Sequence, residues 1–199
     1  MRERGWAVMI PVKPAVDAKS RLGDDVPRGD IARALALDTV DVATRTPGVA
    51  RVLVVTADAA LADLLPGGVE LIRERTAVGI DAALAAASAR VGLRRHRASL
   101  PADLAALAPG ELAAALAMAA MVSRAVIPDA VGDGSTLVTA RAGTAWASAY
   151  GPDSFSRHVA LGCRPLPVRA TSGLRWDLDT PDDLARLLPR AGERLRGVA

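Results

Sequence analysis

The chain has 199 residues, of which 51% are hydrophobic and only 3% aromatic, and its formal net charge is +3. This length suits a single domain, residues 1–199, whose sizeable core must be built mainly from Ala, Leu and Val. The mildly basic balance is compatible with an anionic small molecule, but no basic block interleaved with aromatic residues indicates a nucleic-acid-binding protein.

The sequence also limits the cellular compartment. The single cysteine, Cys163, excludes an internal disulfide and a cysteine-rich zinc site. The apolar run Trp6–Val12 is too short for a signal peptide, and no stretch is long and apolar enough to span a membrane. We therefore expect a cytoplasmic protein without a membrane partner.

Predicted strands and helices alternate in the first part of the chain. Short continuous apolar runs predict buried strands, and longer Ala-rich or periodic segments predict helices. The predicted elements are a strand at Trp6–Val12, a helix at Asp30–Thr44, a strand at Arg51–Thr56, a helix at Ala59–Leu65, a strand at Val69–Ile72 and a helix at Gly79–Val91.

The alternation continues in the second part. A strand at His96–Leu100 is irregular, because Arg and His stand where a buried strand normally has Val or Ile. The later predicted elements are a helix at Pro109–Met121, strands at Ala125–Pro128 and Ser135–Ala140, a helix at Ser154–Leu161, a strand at Arg164–Arg169 and a helix from Thr180 to about Leu188. This order predicts a three-layer α/β domain with a largely parallel sheet.

Acidic residues lie at two points where they could hold a metal ion. Asp103 lies in the stretch Leu100–Leu104, after a predicted strand, where ligands of open α/β sheets collect. Asp177 and Asp179 alternate in an extended segment, so their side chains should lie on one face. Three such carboxylates would suit Mg²⁺. Alternatively, Asp103 forms a turn, Asp179 caps the last helix and Asp177 pairs with an arginine.

The irregular segment after the first strand carries Lys13, Lys19 and Arg21. Cations at the carboxyl end of that strand are well placed to bind a triphosphate. The segment is not a Walker A loop, because it lacks the glycines and the Gly-Lys-Ser/Thr ending. A solvated surface loop is the alternative interpretation.

Two glycine-containing turns are candidates for anion binding. Gly132–Thr136 precedes a strand, so its backbone N–H groups and hydroxyls can turn toward an anion. Gly151–Ser154 precedes a short helix, whose first N–H groups can bind a phosphate. The alternatives are an ordinary hairpin turn and simple helix capping. His158, behind the second turn, could orient or neutralise an anion, but a solvated or hydrogen-bonded structural role is the preferred interpretation.

In this order, the motifs resemble the guanylyltransferases of coenzyme F420 biosynthesis, the 2-phospho-L-lactate guanylyltransferase family with its phosphoenolpyruvate-using bacterial members. The resemblance covers nearly the whole chain, and its most specific part is Gly-Pro-Asp-Ser with Arg-His, followed by Gly-Leu-Arg-x-Asp-x-Asp-Thr-Pro. The matching motifs are Ile10–Lys13, Ala18–Leu22, Leu100–Leu104, Asp129 with Gly134–Thr136, Gly151–Ser154 with Arg157 and His158, and Gly173–Pro181.

The resemblance implies a three-layer α/β nucleotidyltransferase fold, similar to that of the nucleotide-diphospho-sugar transferases, with a mixed, mostly parallel sheet. It implies that Asp103 and Asp177 are catalytic carboxylates that hold Mg²⁺, with Asp179 as a further candidate ligand. The implied reaction is attack by the phosphate of a small phosphorylated carboxylate on the α-phosphorus of GTP, which releases pyrophosphate.

The same resemblance implies where the two substrates bind. The residues expected to hold the acceptor's phosphate are Thr136, Gly151 and Ser154. Those expected near the GTP phosphates are Lys13, Lys19 and Arg21. Asp81 stands where the family usually has Asn, and its carboxylate could still accept a hydrogen bond from a guanine N–H group.

Several alternatives stay open from the sequence. Phosphoenolpyruvate is the preferred acceptor on composition, with 2-phospho-L-lactate as the other candidate. Asp81, Leu104-Ala105 in place of the common Leu-Pro, and the basic strand before Asp103 leave room for a divergent, non-catalytic nucleotide-binding or regulatory paralogue. A transferase for another nucleotide or a phosphosugar is a third hypothesis. The Ala-rich helices are compatible with a homodimer but do not require one.

Overall fold

The structure, a computed structural model, describes residues 5–14, 19, 22–23, 26–74 and 79–199. The strands are β1 (Trp6–Val12), β2 (Val49–Thr56), β3 (Glu70–Arg73), β4 (His96–Ser99), β5 (Arg124–Pro128), β6 (Ser135–Ala140) and β7 (Arg164–Pro165). The α-helices are α1 (Arg28–Arg45), α2 (Ala59–Leu64), α3 (Ile80–Val91), α4 (Pro109–Ala119), α5 (Ser154–Ala160), α6 (Pro181–Leu187) and α7 (Glu193–Val198). Short 3₁₀ turns cover Gly173–Arg175 and Leu188–Arg190.

The strands form one seven-stranded sheet in the order β3-β2-β1-β4-β6-β5-β7. Strand β1 is central and pairs in parallel with β2 and β4, while β3 pairs in parallel with β2 and β7 with β5. Strand β6 is antiparallel to both β4 and β5. The sheet is therefore mixed and mostly parallel, as predicted, and β1 and β4 end at the same edge, where ligands of such sheets bind.

Helices cover both faces of the sheet and complete three layers. On one face, Val8 and Ile10 of β1 pack in a core that includes residues of α1 and α4. On the other face, Met9 packs against α3. Central parallel strands are apolar on both faces for this reason, which explains the continuous apolar sequence of β1. In the part of the chain that the structure describes, no helix is long and apolar enough to cross a membrane.

Strand β4 forms despite its basic sequence. The His96 ring stacks on Trp6, with 4.8 Å between the ring centroids. Arg97 is only 2% exposed, and its guanidinium donates to Ser88 Oγ at 3.1 Å and to the carbonyl of Thr144. These contacts provide stacking for the His96 ring and partners for the two terminal nitrogens of the Arg97 guanidinium.

Strand β7 is shorter than the predicted strand Arg164–Arg169. It covers only Arg164–Pro165. Pro165 and Pro167 have no N–H group to donate to a neighbouring strand, so regular pairing cannot extend through this segment. The prediction of a long strand here was wrong.

Helix α7 was not predicted, because a contact with a distant residue holds it. The carboxylate of Asp38 on α1 accepts from the backbone N–H of Leu195 at 3.0 Å and lies 3.3 Å from the Arg194 guanidinium. A Cβ atom at Gly192 would come within 2.3 Å of the same carboxylate. Glycine is therefore required where α7 approaches α1.

Gly173 provides a first test of the packing that positions the acidic segment. A Cβ atom at Gly173 would lie 2.0 Å from the carbonyl oxygen of Ala106, a backbone atom that cannot move aside cheaply. We expect Gly173→Ala to destabilise the protein by about 3 kcal/mol, as overpacking of a rigid site does. Urea denaturation would measure this loss.

Gly110→Ala is the matched control for that substitution. A Cβ atom at Gly110, in the first turn of α4, meets nothing within 4 Å. Alanine is the better helix former, so this variant should be unchanged or more stable by up to about 1 kcal/mol. Equal stability of the two variants would contradict the proposed packing at Gly173.

Candidate active site

A backbone contact brings the distant acidic segments together. Asp103 follows β4, and its carbonyl oxygen accepts a hydrogen bond from the N–H of Leu178 at 3.0 Å. Leu178 lies between Asp177 and Asp179 and is fully buried. This contact fixes the extended segment beside the end of β4, and the carboxylates of Asp103, Asp177 and Asp179 lie in one region.

Lys19 lies between two of these carboxylates. Its ammonium nitrogen is 2.8 Å from Asp103 Oδ2 and 3.0 Å from Asp179 Oδ1, and its side chain is 8% exposed. Burial alone would lower the pKa of Lys19, but the carboxylates of Asp103 and Asp179 raise it above its ordinary value. Lys19 therefore stays charged. Its backbone has φ +56°, in the left-handed region, and such conformations concentrate at functional sites.

Asp177 carries an unusual carboxyl group. Burial, followed by the negative charges of Asp103 and Asp179, raises the pKa of Asp177 to about 6. A smaller contribution comes from Asp129. In addition, Asp103 Oδ1 is buried without a hydrogen-bond partner. The region therefore holds more negative charge and more acceptor capacity than Lys19 alone satisfies.

This excess suits a divalent cation. Within the described ranges, no group of three or more Asp, Glu, His or Cys residues could hold a metal by itself, and Asp179 contacts Lys19. Asp103, through Oδ1, and Asp177 are therefore the preferred candidate ligands, and a metal-binding role of Asp179 stays a prediction. Mg²⁺ commonly binds one or two carboxylates and completes its coordination with water and substrate phosphates. The donor set fits such a site.

Helix capping near the site follows the sequence pattern. The Thr180 hydroxyl accepts from the N–H of Asp183, whose carboxylate accepts from the N–H of Thr180 at 2.9 Å. Thr180 and Asp183 thus cap α6. The alternative role of Asp179 as the cap is not what the structure shows, and its carboxylate is directed to Lys19.

The structure of the glycine turn before β6 does not agree with its interpretation as a binding site for an external anion. Its backbone N–H groups at Gly132, Asp133 and Gly134 donate to the carboxylate of Asp129, over 2.6 to 3.1 Å. A Cβ atom at Gly134 would lie 2.3 Å from that carboxylate. The turn is therefore closed by a carboxylate of the chain itself, and the expectation that these amides face an external anion was wrong.

Arg175 connects this turn to the acidic segment. Its guanidinium donates to the carbonyl oxygen of Asp129 at 2.6 Å through one nitrogen and at 3.1 Å through another. Since Arg175 lies in the 3₁₀ turn just before Asp177, it links the two segments. The sequence interpretation did not assign this role, although Arg175 stands within the Gly-Leu-Arg motif.

Two of the predicted acceptor residues, Gly151 and Ser154, lie at the start of α5. Gly151 has φ +112°, and its carbonyl oxygen accepts from the N–H of Ser154, which is 2% exposed. The N–H of Phe155 donates to the carbonyl oxygen of Asp133 at 2.9 Å, which joins α5 to the turn before β6. Thr136, on β6, has its hydroxyl 3.4 Å from the carbonyl oxygen of Ile127.

His158 has the structural role that was expected. Its Nε2 accepts from the N–H of Ala149 at 2.9 Å, so Nδ1 carries the proton and donates to Ser135 Oγ, also at 2.9 Å. The ring is fully buried, and burial lowers its pKa. The neutral ring fixes β6 and the segment before Gly151.

Asp81 anchors the same segment. Both oxygens of its carboxylate accept from the N–H of Tyr150, at 3.2 and 3.1 Å. Arg157 donates to the carbonyl oxygen of Tyr150 at 2.6 Å, and the Tyr150 hydroxyl bonds with Ser99 Oγ. Asp81 and Tyr150 thus position the backbone next to Gly151, a role for both that the sequence did not reveal.

For the other residues predicted to bind the nucleotide, the structure shows less about their surroundings. Lys13 is exposed directly after β1, on the edge of the sheet where β4 also ends. Arg21 lies outside the described residues. Their contacts with GTP, like that of Asp81, stay predictions.

Known proteins resemble the chain closely. A phosphoenolpyruvate guanylyltransferase of Thermomonospora curvata is 40% identical over 204 residues, which cover 99% of this chain and 90% of that protein. A phosphoenolpyruvate guanylyltransferase of Streptomyces coelicolor is 43% identical over 202 residues, 98% and 95% of the two chains. No model of a protein family matches the chain.

Solved structures support the fold. A nucleotidyl transferase from Methanothermobacter thermautotroptrophicus has a TM-score of 0.62 and 17% identity, over 97% of this chain and 99% of that one. The Rv0371c protein of Mycobacterium tuberculosis H37Rv, in complex with manganese, has a TM-score of 0.64 and 20% identity, over 94% and 98%. The nucleotidyltransferase fold that the motifs implied is confirmed.

Proposed function

The chain belongs to the phosphoenolpyruvate guanylyltransferase family, and from this premise we propose that it transfers GMP from GTP to the phosphate of phosphoenolpyruvate, with release of pyrophosphate, in coenzyme F420 biosynthesis. The observation that carries the proposal is the meeting of Asp103, Asp177 and Lys19 at the end of β4, in a chain whose relatives carry that name. 2-Phospho-L-lactate is the second acceptor to be tested. No finding favours the non-catalytic alternative.

The reaction itself sets what the site must supply. An oxygen of the acceptor's phosphate forms a bond to the α-phosphorus of GTP, and the bond from that phosphorus to the pyrophosphate oxygen breaks. The attacking phosphate is already ionised, so no side chain needs to remove a proton. Catalysis then depends on in-line positioning and on neutralising the charge of the phosphates.

Asp103 and Asp177 would hold the divalent cation. When bound, such an ion supplies Lewis-acid charge neutralisation and a template for phosphate oxygens. The unpartnered Asp103 Oδ1 and the raised pKa of Asp177 support this assignment. The manganese complex of the distant structural neighbour supports a divalent metal in this fold, and Mg²⁺ is the ion we propose for the chain.

The cationic side chains of the chain neutralise the rest of the charge. Lys19 fixes the positions of Asp103 and Asp179 through two short ion pairs and adds a positive charge beside the phosphates. Lys13, exposed at the same edge, and Arg21 are proposed to contact the GTP phosphates. Asp81 is proposed to accept a hydrogen bond from a guanine N–H group, in addition to anchoring the Tyr150 backbone.

The acceptor's phosphate is proposed to bind beside α5. The residues proposed to contact it are Thr136, Gly151 and Ser154. Two links support a rigid pocket there, namely the hydrogen bond from Phe155 to Asp133 and the bond between His158 and Ser135. We further propose that residues 1–199 act as one nucleotidyltransferase domain.

Pyrophosphate release tests the proposed function. With GTP, Mg²⁺ and phosphoenolpyruvate together, the protein should release pyrophosphate, and omission of any one of the three should abolish the signal. ATP, CTP and UTP test the base, while 2-phospho-L-lactate and 3-phosphoglycerate test the acceptor. Binding of GTP by calorimetry without turnover on any acceptor would overturn the proposal and favour a nucleotide sensor.

A further inference from the structure

Two arginines lie on either side of strand β6, away from the acidic centre. Arg97 on β4 and Arg124 on β5 are both paired with Ala140 of the intervening strand β6. Residues directly opposite one another across neighbouring strands point to the same face. Both side chains therefore extend from one face of the sheet, toward the segment 144–146, whereas Asp103 lies beyond the carboxyl end of β4.

The hydrogen bonds of the two guanidiniums go to neutral groups. Besides Ser88, Arg97 donates to the carbonyl of Thr144, and Arg124 donates to the next carbonyl, that of Ala145, at 2.7 Å. In the described part of the chain, neither arginine forms an ion pair with a carboxylate. Both positive charges thus lack a counter-charge there.

Three donors at this place have no hydrogen-bond partner. They are Arg97 Nε, Arg124 Nε and the indole nitrogen of Trp146, and all three atoms are buried. Trp146 directly follows the two carbonyls that the arginines contact, and its ring packs with Val126 and Val138 on the same face of the sheet as the two arginines. Buried polar groups without a partner are rare. Two explanations are a bound water molecule and a bound ion.

Charge distinguishes these two explanations. Water would satisfy the donors, but it would leave the buried charge of Arg97 close to that of the half-buried Arg124 without compensation, which is costly. Burial and the neighbouring Arg124 lower the pKa of Arg97, which agrees with their closeness. The Cys163 thiol also lies near Arg124, and since burial raises its pKa, it stays neutral.

We propose that Arg97, Arg124 and Trp146 form a binding site for a small inorganic anion of halide size, separate from the proposed catalytic centre. The three N–H groups bind the anion, and its charge compensates the two guanidiniums. The ligand must be small because Arg97 is only 2% exposed and the segment 144–146 covers it. The anion would stabilise the segment that leads to Tyr150.

Thermal unfolding in different salts tests the site. At equal ionic strength, the wild-type protein should unfold about 5 °C higher in sodium chloride than in sodium gluconate, whose anion is too large for the site. Trp146→Phe keeps an aromatic side chain but removes the indole N–H group. Arg97→Met removes one positive charge. Each should abolish most of the difference between the two salts.

Arg94→Met is the matched control, since it removes an exposed arginine next to the same strand. It should keep the full difference between the salts. A crystal grown in sodium bromide should show an anomalous peak beside Trp146. The proposal is overturned if the wild type and Trp146→Phe respond equally to chloride, or if bromide is absent and only water lies there. Should Arg97→Met fail to fold, the response of Trp146→Phe to chloride is the test of the proposal.

Discussion

Asp103→Asn should lower the rate of pyrophosphate release by about a thousandfold, because it removes a negative charge from the proposed metal site. The fold should survive. Lys19 loses one partner but keeps Asp179, and the charge removed is one that raises the pKa of Asp177. We therefore expect a melting temperature within a few degrees of the wild type, so that the loss of rate cannot be attributed to unfolding.

Asp182→Asn provides the control for charge alone. Asp182 lies in the first turn of α6, exposed and close in sequence to the site. Its replacement should change the rate by less than about threefold, the effect of a screened surface charge. If Asp103→Asn kept more than a tenth of the wild-type rate, the role of Asp103 as a metal ligand would be untenable.

Most of the fold could be predicted because its strongest elements are local. The apolar run of β1 and the Ala-rich sequence of α3 require no knowledge of distant residues. The errors have two causes. The unpredicted helix α7 depends on the distant carboxylate of Asp38, and β7 is shorter than predicted because Pro165 and Pro167 interrupt its pairing. Strand β4 was predicted, but the acceptors that Ser88 and Thr144 offer to its buried arginine could not be foreseen.

The candidate site could be predicted in part for a similar reason. The carboxyl ends of β1 and β4 meet at one edge, so the place of Asp103 follows from topology, whereas the convergence of Asp177 with it was inferred from their shared chemistry and from the family resemblance. The hydrogen bond between the Asp103 carbonyl and Leu178 could not be read from the sequence, nor could the place of Lys19 between two carboxylates. The prediction of an anion site in the turn before β6 was wrong because the backbone N–H groups of a glycine-rich turn can equally bind a carboxylate of the same chain, here Asp129.

Asp177→Asn should lower the rate of pyrophosphate release by about a hundredfold or more and at the same time stabilise the protein in the absence of divalent cations. The pKa of Asp177 is raised from 3.8 to about 6, by burial and by Asp103 and Asp179. The carboxylate is therefore unfavourable in the folded state. A shift of this size corresponds to about 3 kcal/mol at neutral pH, as an order of magnitude.

The sign of the pH dependence follows from proton binding. Between the ordinary pKa and the raised one, the folded protein holds a proton on Asp177 that the unfolded chain has released. The contribution of Asp177 to stability therefore falls as pH rises from about 4 to about 6 and stays at its lowest value above that range. Asparagine has no such titration, so the variant should melt about 8 °C above the wild type at pH 8 and show no advantage at pH 4.

A divalent cation provides the decisive comparison. Mn²⁺ or Mg²⁺ that binds Asp103 and Asp177 compensates their charge, so it should raise the melting temperature of the wild type at pH 8 and remove most of the advantage of Asp177→Asn. The same titration should leave the melting temperature of the variant nearly unchanged. A variant less stable than the wild type at pH 8, or one stabilised equally by the metal, would contradict the assignment. The site is predicted to gain activity at a cost in stability. The ionised Asp177 carboxylate destabilises the folded protein without metal, and a bound cation removes that destabilisation.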